Sequence, residues 1–177
     1  MFDSHYPYHQ VDKKVTISSG YEVVTFTFAF TSGSGRRYLI VVEEYPNQVC
    51  AIKFYPKAIA ESPRKYNKLT GWECTAEHNY YSKIISTCLV VMVKFYMEDS
   101  SRSFLFIGAP TENEDSINTR RFALYRRIMP LRFSDVHFRH LIRVEQSIYL
   151  LLNRKRQTDT ILGEVEEMVK AIYPDKE

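Results

Sequence analysis

Between Asn118 and Arg156 the chain carries ten basic residues, nine of them arginine, against only two acids, Asp135 and Glu145. Arginine presents a planar fork of donors that fits phosphate or carboxylate oxygens two at a time. The densest group is Arg120, Arg121, Arg126 and Arg127, interleaved with Phe122 and Tyr125. Rings set among cations can stack on bases. Two arrangements fit this pattern. In one, the four arginines engage an anion. In the other, they pair with the upstream acids Glu112, Glu114 and Asp115 while Phe122 and Tyr125 turn inward. The first is the leading expectation, with an acidic protein surface or nucleic acid as the partner. The net charge of the whole chain is only +3, too small by itself to demand such a partner. The arginine-rich stretch holds +8, so the remainder is net acidic.

Other chemistries find less support. Cys50, Cys74 and Cys88 are odd in number, and their spacing matches no metal or redox motif. They are expected as reduced thiols, with Cys50 and Cys88 in the core. His137 and His140 stand three apart in strand-like sequence, which puts them on opposite faces. No metal site is expected. No Ser or Cys sits in a recognisable nucleophile elbow. Glu43-Glu44 ends a strand and Glu166-Glu167 lies on a polar helix side. Thr31 to Gly35 is rich in Gly, but it lacks the Lys-Ser/Thr of a phosphate loop and belongs to a hairpin.

These residues must be positioned by a domain of ordinary composition. The chain has 177 residues, 45% hydrophobic and 25% charged, which suits one globular unit. No apolar run reaches the ~18 residues of a membrane span, and Met1 to Lys14 holds no apolar signal core. A cytoplasmic protein without a membrane partner is expected. Residues 1–14 read as a loose N-terminal arm and 15–177 as a single α/β domain. Alternation over Glu22 to Phe30, Arg37 to Glu44 and Val49 to Tyr55 predicts an antiparallel meander. Residues 56–73 resist assignment. Apolar residues from Tyr81 to Tyr96 recur at helical spacing behind a cap at Thr75, and Ser103 to Ile107 reads as a short, continuous apolar strand covered on both faces. A second helix runs from Asn118 to Met129, capped by Asn118 or Ser116 and ended by Pro130. Phe138 to Arg154 forms one bent strand or two short ones, and Asp159 to Ile172 is an amphipathic helix. The order is β-β-β-α-β-α-β(β)-α, a mixed and largely antiparallel sheet flanked by helices.

At the second helix this order meets a sequence pattern. Asn118-Thr-Arg-Arg-Phe-Ala-Leu124-Tyr125 resembles the Asn-x-x-Ala-x-x-Leu-Tyr of GNAT acyltransferases, with Arg121 where that family has Ala. The resemblance implies that Asn118 contacts an acyl-CoA such as acetyl-CoA and that Tyr125 protonates the leaving thiolate. The chain departs from the family elsewhere. Asn67 to Thr75 holds one Gly where the family has its pyrophosphate loop, Arg126-Arg127 replaces Gly-Phe, and the family's N-terminal helices have no counterpart. The same segment is similar to a Gly, Arg-rich, Leu-Tyr stretch of small bacterial proteins, which implies no activity. The leading expectation is a small binding or regulatory domain without a cofactor that engages an anionic partner. The alternative is an acyl-CoA-dependent N-acyltransferase.

Overall fold

A computed structural model describes residues 4–66, 80–110, 114–156 and 159–174. Seven strands form one sheet in the order β1-β2-β3-β4-β5-β7-β6. β1 (Tyr8–Ser18), β2 (Tyr21–Thr31), β3 (Arg37–Tyr45) and β4 (Val49–Pro56) make an antiparallel meander. β4 then pairs in parallel with β5 (Ser103–Ile107), through a crossover that contains α1 (Tyr80–Glu98). A parallel pair requires such a crossover, because a tight turn can only reverse the chain. After α2 (Arg120–Arg132), the hairpin of β6 (Phe138–Arg143) and β7 (Ile148–Asn153) joins antiparallel to β5, and α3 (Asp159–Ile172) follows.

Strand alternation divides the core into two layers. Ile40, Val42, Ile52, Phe54, Phe104, Phe106, Tyr149 and Leu151 face one side, where Ile84, Cys88 and Phe95 of α1 and Phe122, Tyr125 and Met129 of α2 cover them. Their in-between neighbours Val49, Ala51, Leu105, Ile148, Leu150 and Leu152 face the other side, against Val165 and Met168 of α3. Strands covered on both faces need apolar residues at every position. That is why β5 and β7 read as continuous apolar runs.

Three expectations are corrected. The expected loose arm over residues 1–14 is corrected from Tyr8 onward, where the chain pairs with β2; residues 1–3 lie outside the described residues. Ser19 and Gly20 both have positive φ, 49° and 82°, the requirement of a two-residue hairpin turn matched to strand twist. Tyr6 ahead of the strand is buried, stacked on Phe30, and donates its amide to Thr87 Oγ1 at 3.0 Å. β1 is an edge strand exposed on both faces; Val15 and Ile17 alternate with polar neighbours but stay exposed, and Tyr8 to Gln10 show no apolar alternation. Second, α2 is capped by Thr119, whose hydroxyl accepts the Phe122 amide, not by Asn118 or Ser116. Third, α2 continues through Pro130 to Arg132. Proline lacks an amide hydrogen, but near a helix end this removes only one backbone bond. Phe138 to Arg154 resolves into two strands, and α3 has the expected bounds. The Thr75 cap and Cys74 fall outside the described residues.

Gly108 lets α2 sit on the end of β5. A Cβ there would come within 2.5 Å of Phe122 Cβ and of Thr119 Oγ1, and Thr119 Oγ1 already donates to the Gly108 carbonyl at 2.7 Å. Gly163, in α3, has open space around it. Urea unfolding should show Gly108→Ala destabilised by about 1–3 kcal/mol and Gly163→Ala stabilised by about 0.5–1 kcal/mol. Equal effects would show that α2 does not press on β5 at this point. Burial also lifts the thiols of Cys50 and Cys88 to about 12. An unfolded thiol titrates near 8.5, so above that pH the unfolded chain holds fewer protons than the folded one. Stability should therefore fall as pH rises from about 9 toward 12, less so in a Cys50→Ala, Cys88→Ala variant.

Candidate functional site

The ladder between β4 and β5 is short. It runs from Val49↔Ser103 to Ile52↔Phe106, while β4 continues to Pro56 with β3 alone beside it. β5 ends at Ile107, and Gly108-Ala109-Pro110 leads away. The sheet is therefore open between Lys53 and Pro56 on one side and the end of β5 on the other. A cleft of about 610 Å³ occupies this opening. Ile52, Phe54, Arg121 and Tyr125 line it from the α1/α2 layer, and Lys53, Ile107, Ile148, Ile172 and Tyr173 from the α3 layer. The cleft thus reaches from one face of the sheet to the other.

Arg121 is the unusual group in this cleft. It is only 5% exposed and its guanidinium carbon sits 4.8 Å from the centre of the Phe54 ring. Its Nε is buried and has no hydrogen-bond partner. Among the described residues it forms no ion pair. A buried cation without a counter-ion is costly, and the Phe54 ring returns only about 0.5–2 kcal/mol of that cost. Tyr125 lies one turn further along α2 and also lines the cleft. Burial raises its phenol well above the ordinary range, and nearby Arg121 partly opposes the shift. Its hydroxyl therefore stays protonated at neutral pH and can act as a donor.

The other cation of the cleft is already matched. Lys53 Nζ donates to Glu43 Oε2 at 2.5 Å and lies 5.0 Å from the Tyr173 ring and 5.6 Å from that of Tyr66. Tyr45 also donates to Glu43, and Tyr173 does so at 3.4 Å. Burial, with Glu43 nearby, raises the phenols of Tyr45, Tyr66 and Tyr173. At the α2 end the first-turn amides are mostly engaged as well. Arg120 donates to Glu114 Oε1 at 2.6 Å, Phe122 to Thr119 Oγ1 and Ala123 to the Thr119 carbonyl. Among the described residues, Arg121 is the one cation inside the cleft without a carboxylate, and the Tyr125, Tyr66, Ser116 and Gln146 side chains add neutral polar groups.

The four arginines singled out in the sequence do not share one surface. Successive residues of a helix turn by about 100°. Arg120 and Arg127 therefore lie on the outward stripe of α2, Arg126 flanks it above the Phe122 ring, and Arg121 points inward. Glu114 accepts the Arg120 backbone amide, and Asp115 accepts that of Ile117 at 3.2 Å. Glu112 lies outside the described residues. Among the described residues none of the four arginines forms an ion pair. Asn118 is exposed at φ 52°, donates its amide to the Val144 carbonyl at 3.3 Å, and is not part of the cleft lining. Phe54, Lys53, Tyr66 and Tyr173 were not singled out from the sequence. Nothing in their local pattern marks them, because Tyr66 and Tyr173 reach the β4 residues only through tertiary packing.

Among the described residues no three His, Cys, Asp or Glu are grouped to hold a metal, and no helix is long and apolar enough to cross a membrane. Comparison of the chain with family models, with curated proteins and with solved structures gives no match. The site stands on its geometry alone: a cleft through an open mixed sheet, lined by an Arg121 guanidinium that has no ion pair among the described residues and whose Nε lacks a partner.

Arg121→Met keeps the length of the side chain and its contact with Phe54 while removing the charge. Sulfur–aromatic contact offsets part of the lost cation–π term. The variant should melt at the same temperature as the parent or higher, by up to about 1–3 kcal/mol of stability. A clearly lower melting temperature would mean that the guanidinium is stabilised by something other than a ligand.

Proposed function

We propose that the protein binds an anionic partner, and that Arg121 receives the anionic group inside the cleft. The observation that carries this reading is the buried, unpaired Arg121 guanidinium facing open volume. Buried polar groups in native proteins are nearly always satisfied, and an exception calls for an explanation. An arriving carboxylate or phosphate supplies both the missing counter-charge and the missing acceptor. Arg120 and Arg127 on the outward stripe of α2 add attraction at longer range, which raises the rate of encounter more than the final affinity. A duplex backbone is too bulky to reach a residue this buried. A small molecule, a chain terminus or an acidic side chain of a protein partner fits better.

A second reading has one observation of its own. Tyr125, assigned by the GNAT resemblance to proton donation, lines the cleft with a phenol that burial keeps protonated. In that reaction an amine nitrogen bonds the acyl carbon and the C–S bond breaks. The departing thiolate takes the Tyr125 proton, and the proton that the amine nitrogen loses returns the phenolate to its neutral form. The exposed position of Asn118 gives no support to its expected contact with the acyl-CoA.

Thermal melting with inorganic phosphate, sodium acetate, acetyl-CoA and a short single-stranded DNA separates these readings. A ligand that binds only the folded state at 100 times its dissociation constant adds about 2.7 kcal/mol. The expected result is stabilisation by a small anion that is lost in Arg121→Met and kept in an Arg120→Glu, Arg127→Glu variant. DNA binding that fades with salt, is lost with the outer arginines and ignores Arg121→Met would move the site to the helix surface. Stabilisation by acetyl-CoA, with thiol release slowed in Tyr125→Phe, would favour the transferase.

A further inference from the structure

We infer that the ligand of this cleft is a small amphipathic monocarboxylate, its carboxylate on Arg121 and its apolar chain passing between β4 and β5 toward Ile172. This rests on the reading of Arg121 as the anion receiver and adds the chemistry of the ligand to it.

Three observations lead there. The first is charge. Arg121 is the one cleft-lining cation left without a carboxylate, since Lys53 is held by Glu43 on the α3 side. Glu145 also lines the cleft, so the site offers a single net positive charge at most. A phosphate group carries about −1.5 to −2 at neutral pH and three strong acceptor oxygens. Its second charge would meet no second free cation in the described lining, since Lys53 is paired with Glu43, and the α2 amides of Arg120, Phe122 and Ala123 are engaged elsewhere. A carboxylate has one charge and two oxygens, which the fork of Arg121 and the Tyr125 hydroxyl match.

The second observation is the wall beyond that anchor. Ile52, Phe54, Ile107, Ile148 and Ile172 make the rest of the passage mostly apolar. Sugars and other polyhydroxylated anions would leave their hydroxyls without partners there, which is costly. The third is shape. The volume of about 610 Å³ lies within the range of about 300–1,000 Å³ typical of small-molecule pockets. It is drawn out through the sheet, because residues from both faces line it. An unbranched chain fills such a passage and a compact anion does not.

The test is calorimetric titration of the full chain with butanoate, hexanoate, octanoate and decanoate, beside acetate and inorganic phosphate. Burial of each methylene strengthens binding by roughly fourfold at most, so the expected result is a gain of threefold or more for every two carbons added. Arg121→Met should weaken the whole series tenfold or more. Ile172→Trp should flatten the gain along the series for the longer acids, with its melting curve confirming that it folds. Arg121-dependent binding of acetate or phosphate with no gain along the series would overturn this inference while leaving the anion reading intact. A chain-length gain that survives Arg121→Met would overturn both, because the cleft would then bind the apolar tail alone. No binding of any member of the series also overturns the inference, and the phosphate and acetate titrations then decide the anion reading separately.

Discussion

The structure depends on where one ladder stops. Parallel pairing of β4 with β5 covers only Val49 to Ile52, yet β4 runs on to Pro56 against β3. If the pairing continued, backbone would fill the middle of the sheet and there would be no cleft. The early stop has a local cause. β5 is five residues long and gives way to Gly108-Ala109-Pro110. Proline cannot donate to a neighbouring strand, and Gly108 is committed to the close approach of α2. The same contact that seats α2 on β5 therefore ends the strand. It also swings the first turn of the helix, and with it Arg121 and Tyr125, toward the gap.

Arg121 is held there by its neighbours along the helix rather than by a partner of opposite charge. Phe122, Tyr125 and Met129 anchor α2 in the core, and Thr119 closes its first turn by bonding both the Gly108 carbonyl and the Phe122 amide. With the helix fixed on both counts, the residue between Arg120 and Phe122 has no freedom to turn outward. Its guanidinium lies over Phe54, a ring from the unpaired segment of β4. A preorganised donor of this kind costs stability in the empty protein and lowers the cost of ordering on binding. Buried charge without compensation is one of the few arrangements that a merely structural role does not explain.

Much of the architecture was legible because alternation and helical spacing are local. The meander, the buried strand at Phe104 to Ile107 and the bounds of α3 follow from sequence period alone. The first half of β1 was not legible, since Tyr8 to Gln10 show no apolar rhythm, while Val15 and Ile17 ahead of the Ser19-Gly20 turn do alternate with polar residues. The arginine cluster was visible as composition, but its division was not drawn. Adjacent arginines at positions 120 and 121 point about 100° apart on a helix, so one faces solvent and the other the cleft. Which one faced inward depended on where Thr119 began the helix, one residue beyond the expected cap. The cleft itself is a property of register between β4 and β5. Register across a crossover is set by tertiary packing, which leaves no trace in the spacing of residues within either strand.

The far wall of the cleft extends this logic to the end of the chain. Tyr173 follows α3 and shares Glu43 with Tyr45 and Lys53, joining the last helix to β3 and β4 through one carboxylate. Glu43 sits on the α3 face beside Ala51 in the ladder, where an apolar side chain would pack with less expense. An unpaired carboxylate there would be strongly destabilising. Three donors make it tolerable, and one of them, Tyr173, directly follows α3. Val165 and Met168 pack on the sheet, and Val169, Ile172 and Tyr173 pack beside them. The bond from Tyr173 adds a polar tie at the end of the helix, next to Ile172 in the cleft wall. The cleft is thus bounded at one end by a cation that lacks an anion and at the other by an anion surrounded with donors. A bound carboxylate belongs at the first, because the second already contains one.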